Sequence, residues 1–421
     1  MSTNRLSSIT STVSAEQPSN FSFSRLAMMT SLAFASAAPT MANASGLFLQ
    51  EAVTANAGVA GAGDGVYTDS AAAMWTNPAT MSFMGESLTT INVMAFDLKM
   101  KFYDADTPAQ DGEAQSYLPS ISVFHAHQVS EKVHLGLALG AAGGSSLEYG
   151  DDWAGARALD SITLNVIVLN PSLSYQINEQ WSVGGGVQFS WAAFEQTMSL
   201  TNLGKKVVAA KDTDWAYGYN LGVMYRHSDD LDFGLSYRSK SEHSFDAELK
   251  GTNQSISTDI DVPEIVDFST RYGFSEDLNL LASVQFHRWS IWDETVLNLG
   301  YGEGVAIERD WDDVWKFAIG ADYKLNSDWR LKAGFSYETS PQDDSEKQWV
   351  DLQVGEQYRY SLGASTNWDN VGVDFFYEYA DLGEVKSAKR SIVDGPIGAS
   401  LAGVNGTFDG RIHFVGVNFT I

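Results

Sequence analysis

Strict alternation of apolar and polar residues, repeated from Ser87 to the C-terminus, is the feature that most constrains this chain. A period of two places the two sets of side chains on opposite faces of a β-strand. The segment 329–339 shows the pattern, with Trp329, Leu331, Ala333, Phe335 and Tyr337 on one face and Arg330, Lys332, Gly334, Ser336 and Glu338 on the other. Fourteen such segments lie near 87–103, 117–128, 133–144, 161–176, 181–198, 215–227, 232–250, 264–274, 278–298, 314–323, 329–339, 357–367, 371–380 and 408–421.

The connections between these segments alternate between tight turns, such as Asp369-Asn370, and long polar loops, such as 381–407. An even number of strands with short turns at one end and long loops at the other is typical of outer-membrane barrels. Aromatic residues at the ends beside the short turns suit the lipid headgroup boundary: Trp181, Trp329, Trp368, Tyr175, Tyr323 and Phe274. The sequence therefore predicts an all-β protein, a 14-stranded antiparallel transmembrane β-barrel over residues 87–421.

The first 44 residues have the features of a secretory signal peptide. A short apolar run, 26–38, follows Arg25, and Ala42-Asn43-Ala44 is a small-residue cleavage signature. The alternative is a disordered, Ser/Thr-rich tail on a cytosolic protein. Export agrees with the absence of cysteine from the chain. No apolar run of about eighteen residues follows Ser45, so a barrel rather than a helix is expected to cross the bacterial outer membrane.

Residues 45–86 break the alternation and precede the first long strand. They are rich in glycine and alanine, and a segment of this length without regular structure is uncommon in a compact domain unless it is functional or disordered. Its apolar residues, among them Val53, Met74 and Trp75, argue against disorder. We therefore expect an N-terminal hatch, or plug, inside the barrel lumen.

The formal net charge of -27 excludes most nucleic-acid partners, because neutralising phosphates requires clustered Lys and Arg. Acidic residues crowd the predicted loops, for example Asp343, Asp344 and Glu346. Such loops can bind divalent cations that bridge lipopolysaccharide, although a solvated run of charge is the commoner explanation. The expected partners are a hydrophobic small molecule, outer-membrane lipid and lipopolysaccharide, and the protein is expected to be a monomer without a cofactor.

Several motifs carry a resemblance to a known family. They include Asp69-Ser70-Ala71-Ala72-Ala73-Met74-Trp75-Thr76-Asn77-Pro78-Ala79 in the predicted hatch, Gly184-Gly185-Gly186, Tyr237-Arg238-Ser239 and the run 329–334. The chain resembles the FadL/TodX-type outer-membrane transporters over nearly all of its mature length. The resemblance implies a fourteen-stranded barrel closed by a hatch and uptake of long-chain fatty acids or hydrocarbons. One departure is the C-terminal Ile421, where the family usually ends in an aromatic residue.

The resemblance also implies roles for particular residues. The mature N-terminus, with Leu47 and Phe48, is expected to contact substrate in an apolar pocket. A kinked third strand with a lateral opening would fall at Gly140, Gly143 and Gly144, although glycine in a strand often reflects close packing. Release of the substrate would then follow from movement of the hatch and pass sideways through the wall.

Two further sets of residues have alternative interpretations. Asn77-Pro78-Ala79 forms either a rigid corner from the hatch to the wall or an ordinary turn, since proline fixes φ. Alternation places Lys316, Arg330, Lys332 and Arg359 on the lumen face near Asp374, Glu338 and Glu378. Arg330, Lys332 and above all Arg359 are candidates to bind a fatty-acid carboxylate, but an ion-pair ladder is the more common arrangement.

Catalysis has little support in the sequence. His125 and His127 share a strand face, but no third metal ligand has diagnostic spacing. No motif brings Ser, His and acidic residues together. We therefore predict a transporter of hydrophobic compounds rather than an enzyme, with a hydrocarbon channel, a general porin or a structural outer-membrane protein as alternatives. The sequence leaves the substrate open.

Overall fold

A computed structural model describes residues 50–200, 205–208, 211–248, 250, 255–292, 294–297, 305–388 and 403–421. Its strands are β1 Ser87–Asp104, β2 Gly112–Ser130, β3 Val133–Glu148, β4 Ser161–Gln176, β5 Trp181–Leu200, β6 Lys205–Val208, β7 Asp212–Ser228, β8 Leu231–Arg238, β9 Ser241–Glu248, β10 Ser255–Val262, β11 Ile265–Gly273, β12 Leu278–His287, β13 Glu294–Leu297, β14 Val305–Glu308, β15 Val314–Lys324, β16 Trp329–Glu338, β17 Gln357–Trp368, β18 Val371–Ser387 and β19 Gly406–Thr420. Helical turns are short: the α-helix Ala73–Thr76 and 3-10 helices Gln50–Ala52, Asp64–Val66, Pro78–Phe83, Pro108–Gln110 and Trp289–Ile291.

Fourteen of the described strands form one closed antiparallel ring. Consecutive members pair in the order β1, β2, β3, β4, β5, β7, β8, β11, β12, β15, β16, β17, β18 and β19. The ring closes where β1 pairs with β19, from Thr90↔Thr420 to Asp104↔Gly406. A closed ladder leaves no open sheet edge, which is the condition for strands to cross a bilayer. The predicted fold class is confirmed.

The outer surface of the ring carries exposed apolar side chains, among them Leu135, Leu137, Ile167, Leu169 and Leu362. The six aromatic residues predicted at the strand ends are likewise exposed. Their rings suit the bilayer boundary on the short-turn side. In the part of the chain that the structure describes, no helix has the length and apolar character needed to cross a membrane.

Several strands run beyond their predicted ends, for example β2 from Gly112 and β18 to Ser387, and two predicted strands are interrupted. The segment 232–250 is divided between β8 and β9, because the ladder with β11 ends at Ile265↔Arg238 and β9 pairs instead with β10. The segment 278–298 is also interrupted: β12 ends at His287, and a 3-10 turn follows over Trp289–Ile291. Both breaks lie on the long-loop side, where the chain leaves the barrel wall.

The inner face of the ring has an apolar sector and a polar sector. On β1 the inward side chains are Met94, Phe96, Leu98, Met100 and Phe102, and buried apolar residues continue onto β2, β4 and β19: Leu118, Phe124, Leu164, Val166, Val168, Phe408, Ile412 and Phe414. Across the ring, strands β11 to β18 bury charged and polar groups: Asp267, Gln285, Lys316, Lys332, Arg359, Asp374 and Glu378. The lumen is therefore amphipathic in cross-section.

Candidate functional site

Residues 50–86 are held inside the ring by strands on all sides of it. Asn92 of β1 donates to the Thr54 carbonyl at 2.9 Å, and Ser182 of β5 donates to the Ala79 carbonyl at 2.8 Å. On the opposite wall, the Gly63 amide donates to Ser283 of β12 at 2.9 Å. Hydrogen bonds from around the whole circumference mean that this segment fills the lumen, as a hatch does; its exact bounds at 45–86 remain a prediction.

The hatch is organised around a buried carboxylate, Asp64. Its oxygens accept from the Thr54 hydroxyl at 2.9 Å, the Ala55 amide at 3.2 Å and the Asn56 amide at 3.0 Å. Gly58 has a φ of 97° and lies against the wall, where a side chain would meet the backbone of Gly363 at 2.6 Å. Glycine on both sides is what permits the hatch backbone to approach the strand so closely.

The Asn77-Pro78-Ala79 motif forms a hydrogen-bonded corner between hatch and wall. Asn77 is fully buried and accepts from the Ala79 amide at 3.0 Å, which caps the 3-10 helix Pro78–Phe83. Its amide nitrogen donates to the Gly65 carbonyl at 2.9 Å and to the Val223 carbonyl of β7 at 3.0 Å. The motif is therefore more than a turn, because one side chain joins two parts of the hatch to the barrel.

The backbone ladder between β2 and β3 has a gap, across which the Ala141 amide donates to the Ser122 hydroxyl at 3.3 Å. Pairing of these strands runs from Ser130↔Val133 to Val123↔Leu139 and then stops, although β2 continues along β1 and β3 along β4. The register of β3 against β4 shifts between Ala141 and Gly143. A β-bulge of this kind bends a strand away from its neighbour. This register shift falls within the run 140–144, which contains the glycines at which the kink is predicted.

The hatch lies against the inner side of this gap. A side chain at Gly140 would meet the Trp75 ring and Val53 at 2.9 Å each. Trp75 also packs edge-on against Phe124 of β2, with ring centroids 6.3 Å apart. Glycine is needed at position 140 because hatch side chains fill the space behind it. Gly143 and Gly144, which follow the register shift in β3, are both buried.

The predicted lumen cations separate into two groups with different partners. Arg359 contacts Glu51 of the hatch at 3.0 Å, Glu338 at 3.6 Å and Glu378 at 3.8 Å. Lys316 donates to Gln50 of the hatch at 2.5 Å. In this first group the cations join the wall to the beginning of the described hatch, as the ion-pair interpretation expects.

The second group lies nearer the short turns. Lys332 pairs with Asp374 at 2.8 Å and faces the Tyr67 ring of the hatch at 5.3 Å. Arg330 pairs with Asp322 and is the most exposed of the predicted cations, with 38% of its side chain accessible. Both cations have a carboxylate partner, so the structure shows neither as free to receive a substrate head group.

One lumenal cation that the sequence analysis did not single out has a different environment. Arg238, at the end of β8, is 9% exposed and lines a small cavity with Gln50, Val53, Trp75, Asp267 and Gln285. It donates to the Trp75 carbonyl, and its guanidinium lies 4.5 Å from the centre of the Trp75 ring. Alternation along 231–238 was the available signal, since it places Arg238 on the inner face.

A family model described as "Outer membrane protein transport protein (OMPP1/FadL/TodX)" matches residues 35–421. The chain belongs to the FadL/TodX family. Membership agrees with the fourteen-stranded ring and the filled lumen. It also assigns the chain to the outer membrane and to the transport of hydrophobic compounds.

Relatives and solved structures of FadL/TodX type cover most of the chain. The long-chain fatty acid transport protein of Escherichia coli O6:H1 is 21% identical and covers 90% of this chain and 95% of the relative. Outer membrane protein P1 of Haemophilus influenzae is 24% identical, covering 80% and 86%. The crystal structure of a Pseudomonas aeruginosa FadL homologue has a TM-score of 0.77 at 20% identity, covering 89% and 99%. The Pseudomonas putida toluene transporter TodX has a TM-score of 0.62 at 15% identity, covering 83% and 93%.

Two predicted substrate contacts, Leu47 and Phe48, lie outside the described residues. The signal peptide 1–44 lies outside them as well, so its cleavage remains a prediction.

Histidines in the described part of this FadL/TodX-family chain have two kinds of neighbour that bear on metal binding or catalysis. His125 and His127 stack with centroids 6.2 Å apart, and no group of three potential ligands occurs there. His243 lies 2.9 Å from the Ser190 hydroxyl and 3.7 Å from Asp214. A serine, a histidine and an aspartate in contact in this sequence also occur in hydrolases. Ser190 and His243 are each 1% exposed, so both side chains are buried in the interior.

Proposed function

We propose that this protein takes up long-chain fatty acids by binding them in the apolar sector of the lumen, moving its hatch and releasing them sideways through the wall. The observation that carries the proposal is the gap between β2 and β3, which lies in the apolar sector and faces Trp75 of the hatch. An apolar solute leaving there enters the bilayer without crossing the charged sector. In this proposal Gly140, Gly143 and Gly144 form the lateral opening, and residues 45–86 are the hatch.

The apolar sector suits an alkyl chain energetically. Transfer of each methylene from water to an apolar surface yields about 0.8 kcal/mol, so a partly enclosed long chain binds usefully. The inward side chains of β1, from Met94 to Phe102, form a continuous apolar strip along the barrel axis. A chain lying on this strip would be shielded from the polar lipopolysaccharide layer outside.

Movement of the hatch is the step that this route requires. Trp75 and Val53 occupy the space immediately behind Gly140, so an alkyl chain passes only when they shift. The hatch is otherwise bound by polar contacts to the opposite wall, for example Glu51 to Arg359. A ligand that binds the shifted arrangement more tightly than the closed one would move the equilibrium towards opening.

Uptake of a neutral hydrocarbon is the alternative within the same route, because apolar surfaces discriminate weakly between chains and rings. Labelled oleate and labelled toluene, offered to a deletion strain with and without the complementing gene, separate the two. Uptake of oleate alone supports the proposal, and uptake of toluene alone contradicts it. Steady ion conductance by the purified protein in planar bilayers would instead favour a general porin.

A cysteine pair across the gap tests lateral release, and the natural chain has no cysteine to interfere. The substitutions are Ile121→Cys and Ala141→Cys. These positions lie two residues beyond the last registered pair, Val123↔Leu139, on the same outward face. Cross-linking this pair with a short bis-maleimide is expected to reduce oleate uptake at least about tenfold, because the two edges can no longer separate.

The matched control joins the same strands where they are already paired. His125→Cys and Leu137→Cys replace registered partners below the gap. Cross-linking there should leave uptake unchanged. Equal uptake with and without the cross-link between positions 121 and 141 would refute exit between β2 and β3, whatever the transported compound.

A further inference from the structure

The cavity beside Arg238 is polar on one side and apolar on the other. Its volume of about 40 Å³ holds roughly three water-sized groups, the size of a carboxylate. Val53, Trp75 and Ile265 line its apolar side, while Gln50, Gln285 and Arg238 line its polar side. The two glutamine amides donate to Gln285 and Asp267, at 3.0 Å and 2.9 Å. A cavity with this lining suits the polar head of an amphipathic molecule better than it suits a wholly apolar molecule.

Arg238 has no carboxylate partner among the described residues. The other cations predicted on the lumen face each contact a carboxylate or a glutamine amide: Lys316 contacts Gln50, Arg330 pairs with Asp322, Lys332 with Asp374 and Arg359 with Glu51. The guanidinium of Arg238 has five N–H donors and is shown donating to one acceptor, the Trp75 carbonyl. A buried guanidinium whose remaining donors border a cavity is a ready partner for an anion.

We infer that Arg238 binds the carboxylate of the substrate in this cavity and thereby selects fatty acids over neutral hydrocarbons. The inference rests on the proposed function, which it deepens by assigning the head-group site. Two parallel N–H···O bonds are the usual geometry between a guanidinium and a carboxylate.

Two carboxylates also border the cavity, and their oxygens are already hydrogen-bonded. Asp64 accepts three bonds within the hatch, and Asp267 accepts from Ser269 at 2.7 Å and Gln285 at 2.9 Å. Their charges oppose a bound carboxylate. Replacing Asp267 by asparagine should therefore tighten the binding of an acid and leave the binding of its ester unchanged.

The position of the cavity connects the head-group site with the wall gap. Val53 and Trp75 line the cavity, and the same two side chains lie behind Gly140. A fatty acid with its carboxylate on Arg238 would extend its chain past Trp75 towards the apolar sector. Its carboxylate would also compete for the guanidinium that holds the Trp75 carbonyl, so binding weakens the contact that keeps Trp75 in place.

Binding of oleate and of methyl oleate to the purified full-length protein in detergent tests the inference. The wild type is expected to bind oleate more tightly than methyl oleate. Arg238→Gln is expected to weaken the binding of oleate roughly ten- to hundred-fold, with little change in the binding of the ester. Arg238→Lys, which keeps the charge, should retain part of the preference. Arg226→Gln is the matched control, since Arg226 also lies over a hatch ring, 4.2 Å from the centre of Phe83.

The outcomes separate the inference from the proposed function. If Arg238→Gln and the wild type show the same oleate-to-ester ratio while both ligands bind, the head-group site is wrong and the transport proposal stands. If the wild type binds neither ligand, both fail. Weaker binding of both ligands by Arg238→Gln, with the ratio retained, would mean that Arg238 only holds the hatch, and this also overturns the site.

Discussion

At the scale of single residues, the hatch depends on buried hydrogen bonds made by Asn77. Asn77→Ala removes the cap on Ala79 and leaves the Gly65 and Val223 carbonyls without this donor. Each buried group left unsatisfied costs roughly 1–3 kcal/mol, so the corner should loosen. We expect a higher ion conductance in planar bilayers. Asn178→Ala, which removes a comparable cap in an exposed turn, should leave conductance unchanged.

Gly334 illustrates the close approach between wall and hatch. A side chain there would overlap the Val59 backbone, which no change of rotamer can relieve. Gly334→Ala should displace the hatch and raise its susceptibility to protease added on both sides of the membrane. Gly372→Ala on β18 of the same ring, where the nearest atoms are 3.7 Å away, is the control. Equal digestion of both variants would contradict the close packing.

The lumen position of Arg359 could be predicted from the sequence, but its partner could not. Alternation along β17 places the side chain inside, whereas Glu51 lies 308 residues away in a segment without alternation. The same holds for Arg238. Its motif contributes to the family resemblance, but only the folded hatch shows that Trp75 and a cavity lie beside it.

At the scale of elements, the strands were predictable because alternation and turns are local, while the faces of β1 were not. Lys99 and Lys101 point outward on β1 and contact Glu113 of β2, and the inward set is apolar. A polar lumen is the usual expectation for a barrel. That expectation would place the lysine face of β1 inside and its apolar face outside, the reverse of the structure. The apolar sector is therefore visible only once β1 is paired with its neighbours.

The hairpin of β9 and β10, which extends beyond the barrel ladder, should respond to pH. Burial, followed by the facing Glu242 carboxylate, raises the pKa of Asp261 to about 6. Since this folded-state pKa lies above the unfolded value of about 3.9, the contribution to stability is present at low pH and is lost as the pH rises through 6. Hydrogen exchange over 241–262, corrected for intrinsic rates, should show less protection at pH 7.5 than at pH 5.

Asp261→Asn is expected to abolish this difference in protection, because the asparagine stays neutral throughout. Asp259→Asn, an exposed position on the same strand, should retain it. A wild-type hairpin protected equally at both pH values would show that Asp261 is solvated rather than buried.

At the scale of the whole molecule, the hatch and the barrel are joined by a buried charge cluster in which one arginine faces three acids. Arg359→Met leaves Glu51, Glu338 and Glu378 without their main counter-ion, and breaking a buried pair in this way costs roughly 3–5 kcal/mol. Glu51→Gln should cost much less, because Arg359 keeps two carboxylates. We expect Arg359→Met to lower the urea midpoint, measured by tryptophan fluorescence in liposomes.

The double variant decides whether the loss acts through the hatch. Adding Glu51→Gln to Arg359→Met removes one of the unpaired charges and should recover part of the urea midpoint. It should not restore the closed state, since the bond of 3.0 Å between hatch and wall is absent in both variants, so ion conductance should remain high. Recovery of stability together with low conductance would show that the other hatch contacts, those of Asn77 and the wall glycines, hold it in place without the ion pair. A double variant as unstable as Arg359→Met would instead place the unfavourable charge on the wall acids, Glu338 and Glu378.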